Sequence, residues 1–272
     1  MVQDKNVEIP ESVMIYLNEI SERMKQGRAV VMVGSGFSKN ANPCRSTEKK
    51  FLDWGQLGDI FYKKLYGKLP CEEKIPYFYQ DILKLADRVE QCFGRTVLDK
   101  LLLDNLPDEE YEPSKLHEML LTLNWTDIFT TNYDTLLERT RAKVFHKRYQ
   151  LVLNKDDLVY SKCPRIIKLH GSFPSTRPFI VTEEDYRRYP KESAIFVNTV
   201  QQSLIENVMC MIGFSGEDPN FLNWIGWIRD NLGESTASKI YLVGVFDLHE
   251  TERKLFQSRN IVLVNMKDCP DI

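Results

Sequence analysis

The feature that most constrains this chain is a series of short, apolar-centred, strand-like segments, each too short for a buried helix and most separated from the next by a helical stretch. The clearest is Ala29 to Val33 (AVVMV), β-branched and broken at Gly34. Such a run reads as a strand buried on both faces, as in a parallel sheet, rather than as an alternating strand with one wet face. Five more are expected at Asp127 to Thr130, Arg165 to Leu169, Val208 to Ile212, Ile240 to Val245 and Asn260 to Val264. Between them the apolar spacing turns helical. Val13, Leu17, Ile20 and Met24 mark an amphipathic helix over 11–26, and further helices are expected over Ser114 to Leu123, Asn132 to Arg141, Ala194 to Glu206 and Asn220 to Asn231. Alternating strands and helices predict an α/β chain with a doubly wound, Rossmann-like parallel sheet and helices on both faces.

Residues 44–112 break the alternation. They are rich in Lys, Asp, Tyr and Phe, and hold LPCEEKIPYFYQ and the helical DILKLADRVEQCF. We read them as a mainly helical insertion covering one end of the sheet, within a single domain spanning 1–272. The chain stops at KDCPDI directly after the last expected strand, with no helix to cover it. The expectation is therefore that this is the N-terminal domain of a longer protein.

At 272 residues and 43% hydrophobic, the chain can bury a sizeable core. Its 36 basic and 39 acidic residues leave a net charge of -3, which supplies no general attraction to nucleic acid or anionic membrane. Neither a secretory nor a targeting peptide is evident, and no apolar run approaches a membrane span. The reading is a cytoplasmic protein. Six cysteines are scattered without a CxxC pair, and four histidines never fall at metal-helix spacing, so neither a zinc module nor another bound metal is expected.

Four strand ends carry residues able to do chemistry. Gly34-Ser35-Gly36-Phe37-Ser38 follows the first strand. Glycines there permit a tight turn and close backbone approach to a pyrophosphate, although the third glycine of GxGxxG would fall at Lys39. Thr130-Thr131-Asn132-Tyr133-Asp134 ends the second strand. Either Asn132 or Asp134 could simply cap the next helix, but two hydroxyls, an amide and a carboxylate exceed what capping needs. The Asn132 amide both donates and accepts, so it suits a ribose hydroxyl or a water. Lys168-Leu169-His170-Gly171-Ser172 brings His170 to the same edge, where an imidazole can take a proton. Ile212-Gly213-Phe214-Ser215-Gly216-Glu217-Asp218 can complete a phosphate or ribose cradle, or be only a turn with Asp218 as cap. Thr182 reads as an ordinary cap. Phe221, Trp224 and Trp227 read as packing.

Taken in order, GSGFS, TTNYD, KLHGS and IGFSGEDPNF resemble the sirtuin-like domain family, in its bacterial branch of NAD-depleting anti-phage effectors. The likeness spans roughly 27–265. It implies that Gly34, Ser35, Gly36 and Ser38 hold the NAD pyrophosphate and that Thr131, Asn132 and Asp134 match the Gln-Asn-x-Asp motif, with Thr in place of Gln. Asn132 and Asp134 then serve the nicotinamide end, His170 matches the catalytic histidine, and Gly213 and Ser215 contact the cofactor. Deacylating sirtuins carry a zinc module with two CxxC pairs, which this chain lacks. The resemblance therefore implies an NAD+ hydrolase, with NAD+ as substrate, no metal, and products nicotinamide and ADP-ribose. Regulation through a homo-oligomer, or through an added effector or sensor domain or subunit, is expected with it. The alternatives are an NAD-dependent protein deacylase and a non-catalytic module sensing NAD or ADP-ribose.

Overall fold

The computed structural model describes residues 9–44, 47, 49–69, 81–232, 238–267 and 269. Helix α1 (Glu11–Lys25) leads into β1 (Ala29–Val33), the AVVMV run, all five residues of which are buried. The four-residue turn α2 (Ser35–Ser38) follows at once. Two short strands, β2 (Asn42–Pro43) and β3 (Tyr111–Glu112), pair antiparallel in a separate ribbon. They bracket α3 (Trp54–Tyr66), α4 (Ile82–Phe93) and α5 (Arg95–Asn105), the described helices of the 44–112 segment. Most of LPCEEKIPYFYQ, including Cys71, lies outside the described residues.

The chain then runs through α6 (Lys115–Thr122), β4 (Asp127–Thr130), α7 (Leu136–Arg141), β5 (Gln150–Val152), α8 (Lys155–Tyr160) and β6 (Arg165–Lys168). It ends with α9 (Glu183–Glu192), α10 (Ala194–Glu206), β7 (Val208–Ile212), α11 (Pro219–Leu232), β8 (Ile240–Gly244), α12 (Glu250–Ser258) and β9 (Ile261–Asn265). Each of the six expected strands is present to within a residue at its ends. The helix expected from Asn132 starts instead at Leu136, because the four residues before it are bound into the site described below. Thr182 does cap α9, accepting from Asp185 N at 3.0 Å.

The main sheet has seven strands in the order β5-β6-β4-β1-β7-β8-β9, and every pairing in it is parallel. From β1 the chain builds outward to β4 and the pair β5 and β6, then returns to lay β7 on the other side of β1. This is the doubly wound, Rossmann-like arrangement, and the reversal of winding falls between β1 and β7. Alternate residues of β1 face opposite layers. Val30 and Met32 join Phe129, Ile167 and Met211 under α9, α10 and α11, while Ala29, Val31 and Val33 join Ile128, Ile166 and Cys210 against α1 and α6. Each fully buried side chain of this kind contributes about 1.5–3 kcal/mol. Among the described residues no helix is long and apolar enough to cross a membrane.

Helices α3 to α5 have their own core of Leu57, Phe61, Leu85, Val89, Leu98 and Leu102. That core is completed by Tyr133, Phe173, Phe179 and Val181 from the main body. The helical segment is thereby fixed over the carboxyl ends of β4 and β6.

Candidate active site

Register brings the four motifs into one row. Val33 is paired with Thr130 of β4 and with Ile212 of β7, and Thr130 is paired with Lys168 of β6. One step beyond these partners come Gly34, Thr131, Leu169 and Gly213; two steps beyond come Ser35, Asn132, His170 and Phe214. Neighbouring strands run about 4.8 Å apart, so residues distant in sequence arrive side by side at the carboxyl edge. Ligands of doubly wound sheets bind at that edge, at the switch in strand order.

The two glycine turns close on each other there. Gly34 N donates to Ile212 O at 3.0 Å and Gly36 N to Gly213 O at 2.9 Å. A Cβ on Gly34 would come within 2.3 Å of Gly213 O, and one on Gly213, whose φ is +62°, within 2.2 Å of Phe37 N. Glycine is required at both positions by this backbone contact. The α2 turn leaves Ser35 and Gly36 exposed and buries Phe37 and Ser38.

A cleft of about 700 Å³ opens over this seam. Gly34, Ser35, Gly36, Gly213 and Ser215 form its floor, and Thr131, Asn132 and Asp134 one wall. Phe51, Leu52, Trp54, Leu57, Ile82 and Leu83 supply an apolar roof from the helical segment, and the end of β8 with Phe246 closes the far side. Its volume and mixed lining are those of a small-molecule site. Among the lining residues Lys39 is the one cation, set against the carboxylates of Asp53, Asp81, Asp134, Glu217 and Asp218. A larger cavity of about 1010 Å³ lies at the amino ends of the strands, lined by Arg28, Thr126, Asp127, Arg165 and Val208. It holds none of the motif residues and sits at the edge opposite to ligand binding.

Ser38 organises the Asn132 wall. Its Oγ donates to Asp134 Oδ2 at 2.7 Å and accepts from Asn132 Nδ2 at 3.0 Å. Asp134 also accepts from Leu136 N at 3.2 Å, a local bond that fixes the entry to α7 while it holds Ser38; the N-cap position itself is Thr135, and the Asn132 side chain bonds Ser38 instead of a helix N–H. Ser38 itself does not line the cleft; it stands behind two residues that do. Burial pushes the Asp134 carboxyl above its ordinary range, opposed by Lys168 and by the Ser38 bond. Tyr133 anchors the pair from below, with its OH donating to Ile180 O at 2.5 Å and its ring against Phe173 and Phe179.

Lys168, at the end of β6, is buried and donates to Asp134 O, with Glu138 Oε1 at 3.1 Å as its counter-ion. Ser172 Oγ donates to the same Glu138 oxygen at 2.8 Å. One buried cation therefore ties the loop after β4 to the loop after β6.

His170 is buried to 1% exposure and is not among the cleft-lining residues. Its Nε2 lies 3.2 Å from Asn220 Nδ2, and its ring meets Tyr186 and Tyr189 edge-on at 5.4 and 5.5 Å. Tyr186 does line the cleft, and its OH donates to Asp218 Oδ2 at 3.0 Å. Asp218 Oδ1 in turn accepts from Phe221 N at 3.1 Å, the cap that sequence anticipated. Burial lowers the His170 pKa, with Asp218 and Asp185 acting the other way. Sequence reasoning missed Asn220, Tyr186 and Lys39 as parts of the site. Only the position of Asn220 and Asp218 beside the SGEDPNF turn could have hinted at them. Phe221 and Trp224 are buried as packing residues, while Trp227 is 40% exposed. Among the described residues no group of three or more His, Cys, Asp or Glu side chains is gathered as a metal ion needs.

An NAD(+) hydrolase ThsA of Enterococcus faecium is 28% identical over 233 residues, covering 80% of this chain and 44% of that protein. Defense-associated sirtuin 2 of Bacillus subtilis is 24% identical over 226 residues, covering 81% of this chain and 21% of that one. The chain thus spans less than half the length of these curated relatives. A solved structure described as a Sir2 homolog–NAD complex aligns with 91% of this chain and 88% of its own at 13% identity and a TM-score of 0.47. Residues 126–264, just over half of the chain and the stretch holding Asn132, His170 and Gly213, match the family described as SIR2-like domain, and the chain belongs to that family.

Proposed function

We propose that this chain is an NAD+ glycohydrolase domain that cleaves the nicotinamide–ribose bond and depletes NAD+ in anti-phage defence. One observation carries the reading: Asn132 is held by Ser38 on the wall of a cleft whose floor is the glycine seam at the switch of the sheet. The names of the relatives, NAD(+) hydrolase ThsA and defense-associated sirtuin, support it. Because those relatives are longer, we place the domain within a larger, cytoplasmic effector whose activity is governed by assembly or by further domains.

In this reading the floor residues Gly34, Ser35, Gly36, Gly213 and Ser215 hold the pyrophosphate and adjoining ribose, with Lys39 supplying the positive charge. Ser38 acts from behind, through Asn132 and Asp134, and Thr131 borders the nicotinamide ribose. The bond from ribose C1′ to the pyridinium nitrogen breaks, and its electron pair stays with nicotinamide, which leaves neutral. A water oxygen bonds to C1′ and its proton passes to a base, so one proton is released per NAD+ consumed. Asn132 orients the ribose or that water, and His170, kept neutral by burial, is the base. Tyr186 borders both cleft and imidazole, so it must yield for His170 to engage.

The test is product analysis of NAD+ incubated with the longer protein and with this chain, beside Asn132→Ala and His170→Ala variants. Nicotinamide and ADP-ribose should appear without any acylated peptide, and each variant should lose at least ~100-fold in turnover. Undiminished turnover in both variants, or dependence on an acylated peptide, would sink the proposal.

A further inference from the structure

The contact between Asn220 and His170 joins two side chains that are each 1% exposed, one from the first turn of α11 and one from the loop after β6. Asn220 stands at the start of α11, directly after Asp218 and Pro219, on the turn that also supplies the Asp218 partner of Tyr186. A buried amide costs stability unless its hydrogen bonds are made, and this one is aimed at a ring nitrogen. Nδ1 of His170 has no hydrogen-bond partner among the described residues.

An amide suits this place because it offers a donor and an acceptor on one planar group. In the orientation seen, Nδ2 donates to an unprotonated Nε2. A half-turn about the amide plane presents Oδ1, which accepts from Nε2–H and leaves Nδ1 free to receive a proton. The same side chain therefore holds the ring before and after protonation. A carboxylate would do so only by favouring the imidazolium, and a hydroxyl would reach less far.

Resting on the proposed role of His170 as base, we infer that Asn220 is a positioning residue that tethers Nε2, so that the chemistry of His170 runs through Nδ1. The groups facing the imidazole are few. Asn220 comes from the first turn of α11, Asp218 from just before it, and Tyr186, Tyr189 and Asp185 from α9. Tyr189 is engaged through its OH with Leu169 O at 2.8 Å, and Tyr186 with Asp218. Asn220 is the one side chain among them that bonds the ring directly.

The experiment compares Asn220→Ala, Asn220→Asp and His170→Ala by pH profiles of NAD+ cleavage, and by NMR titration of the His170 ring, assigned through its loss in His170→Ala. Asn220→Ala should lower kcat about 10–100-fold with KM little changed, since orientation rather than binding is lost. Asn220→Asp should retain more activity than Asn220→Ala. It should move both the acid limb and the imidazole titration upward by at least ~1 pH unit, because a carboxylate at Nε2 favours the charged ring. A merely structural asparagine would lower stability without moving either titration. If His170→Ala is inactive while both Asn220 variants keep the wild-type profile and titration, this inference fails and the base assignment stands. A fully active His170→Ala protein overturns both. Should the Ala variant not fold, the near-isosteric Asp variant and its NMR titration decide the matter without any activity readout.

Discussion

Ser38→Ala separates two accounts of one residue. If Ser38 touches the pyrophosphate, its loss should raise KM; the geometry has it serving Asn132 and Asp134 instead, which predicts a fall in kcat. The hydroxyl makes one bond to a buried carboxylate at 2.7 Å and one from an amide at 3.0 Å. A hydrogen bond to a charged group contributes roughly 1.5–3 kcal/mol, so the variant should lose about 2 kcal/mol, or about 4 °C in Tm for a chain of this size. The loss should depend on pH. The folded Asp134 carboxyl already sits above its ordinary range through burial, and without Ser38 it rises further. A folded carboxyl with a raised pKa binds more protons than the unfolded one, so stability falls as pH climbs through the window above the ordinary carboxylate value. The deficit should therefore be largest at neutral pH and shrink toward pH 4. With Asn132 freed, kcat should drop about 10–100-fold while KM moves less than about threefold. The assays are thermal melts from pH 4 to 8 and steady-state NAD+ cleavage. A raised KM with intact kcat, or a Tm deficit that does not change with pH, would refute the reasoning.

Two further outcomes follow from charge. Lys39→Gln removes the one cation among the cleft-lining residues and should raise KM for NAD+ about fivefold with kcat within twofold, an effect that fades at high salt; an unchanged KM at low salt would exclude phosphate binding by Lys39. Lys168→Met leaves the Glu138 and Asp134 side uncompensated and should cost about 3–5 kcal/mol, read as a Tm loss that narrows at lower pH, whereas Lys168→Met with Glu138→Leu should regain most of it. Equal melts for single and double variants would contradict this account.

How much was legible in advance depended on whether the signal was local. Strands β1 and β7 appear with the expected limits because residues buried on both faces form unbroken apolar runs, and β4 does so although Asp127 and Thr130 flank its Ile128 and Phe129. Strand β5 escaped notice because it is three residues at the sheet edge, with Gln150 exposed and only Val152 fully buried. The turn α2 is too short to show any period. At the site, the glycines, Asn132 and His170 each follow a strand and were visible for that reason. Their pairings with one another and with the residues behind them were not. Ser38 bonds residues 94 and 96 positions away and Asn220 bonds one 50 away, and no spacing rule encodes such a pairing. Only the sheet register, which lines up Val33, Thr130, Lys168 and Ile212, brings them within reach.

The seam between Gly34, Gly36 and Gly213 also bears on how this site can diversify. Main chain meets main chain there, with no side chain in between and no room to add one. The floor is thus a fixed casting that nearly every substitution would crack. Variation in which ligand the cleft accepts, and how tightly, is left to the replaceable parts: the aromatic and aliphatic roof from the helical segment and the rim after β8. A library aimed at changing substrate choice should leave the casting alone and mutate Phe51, Trp54, Leu83, Val245 and Phe246.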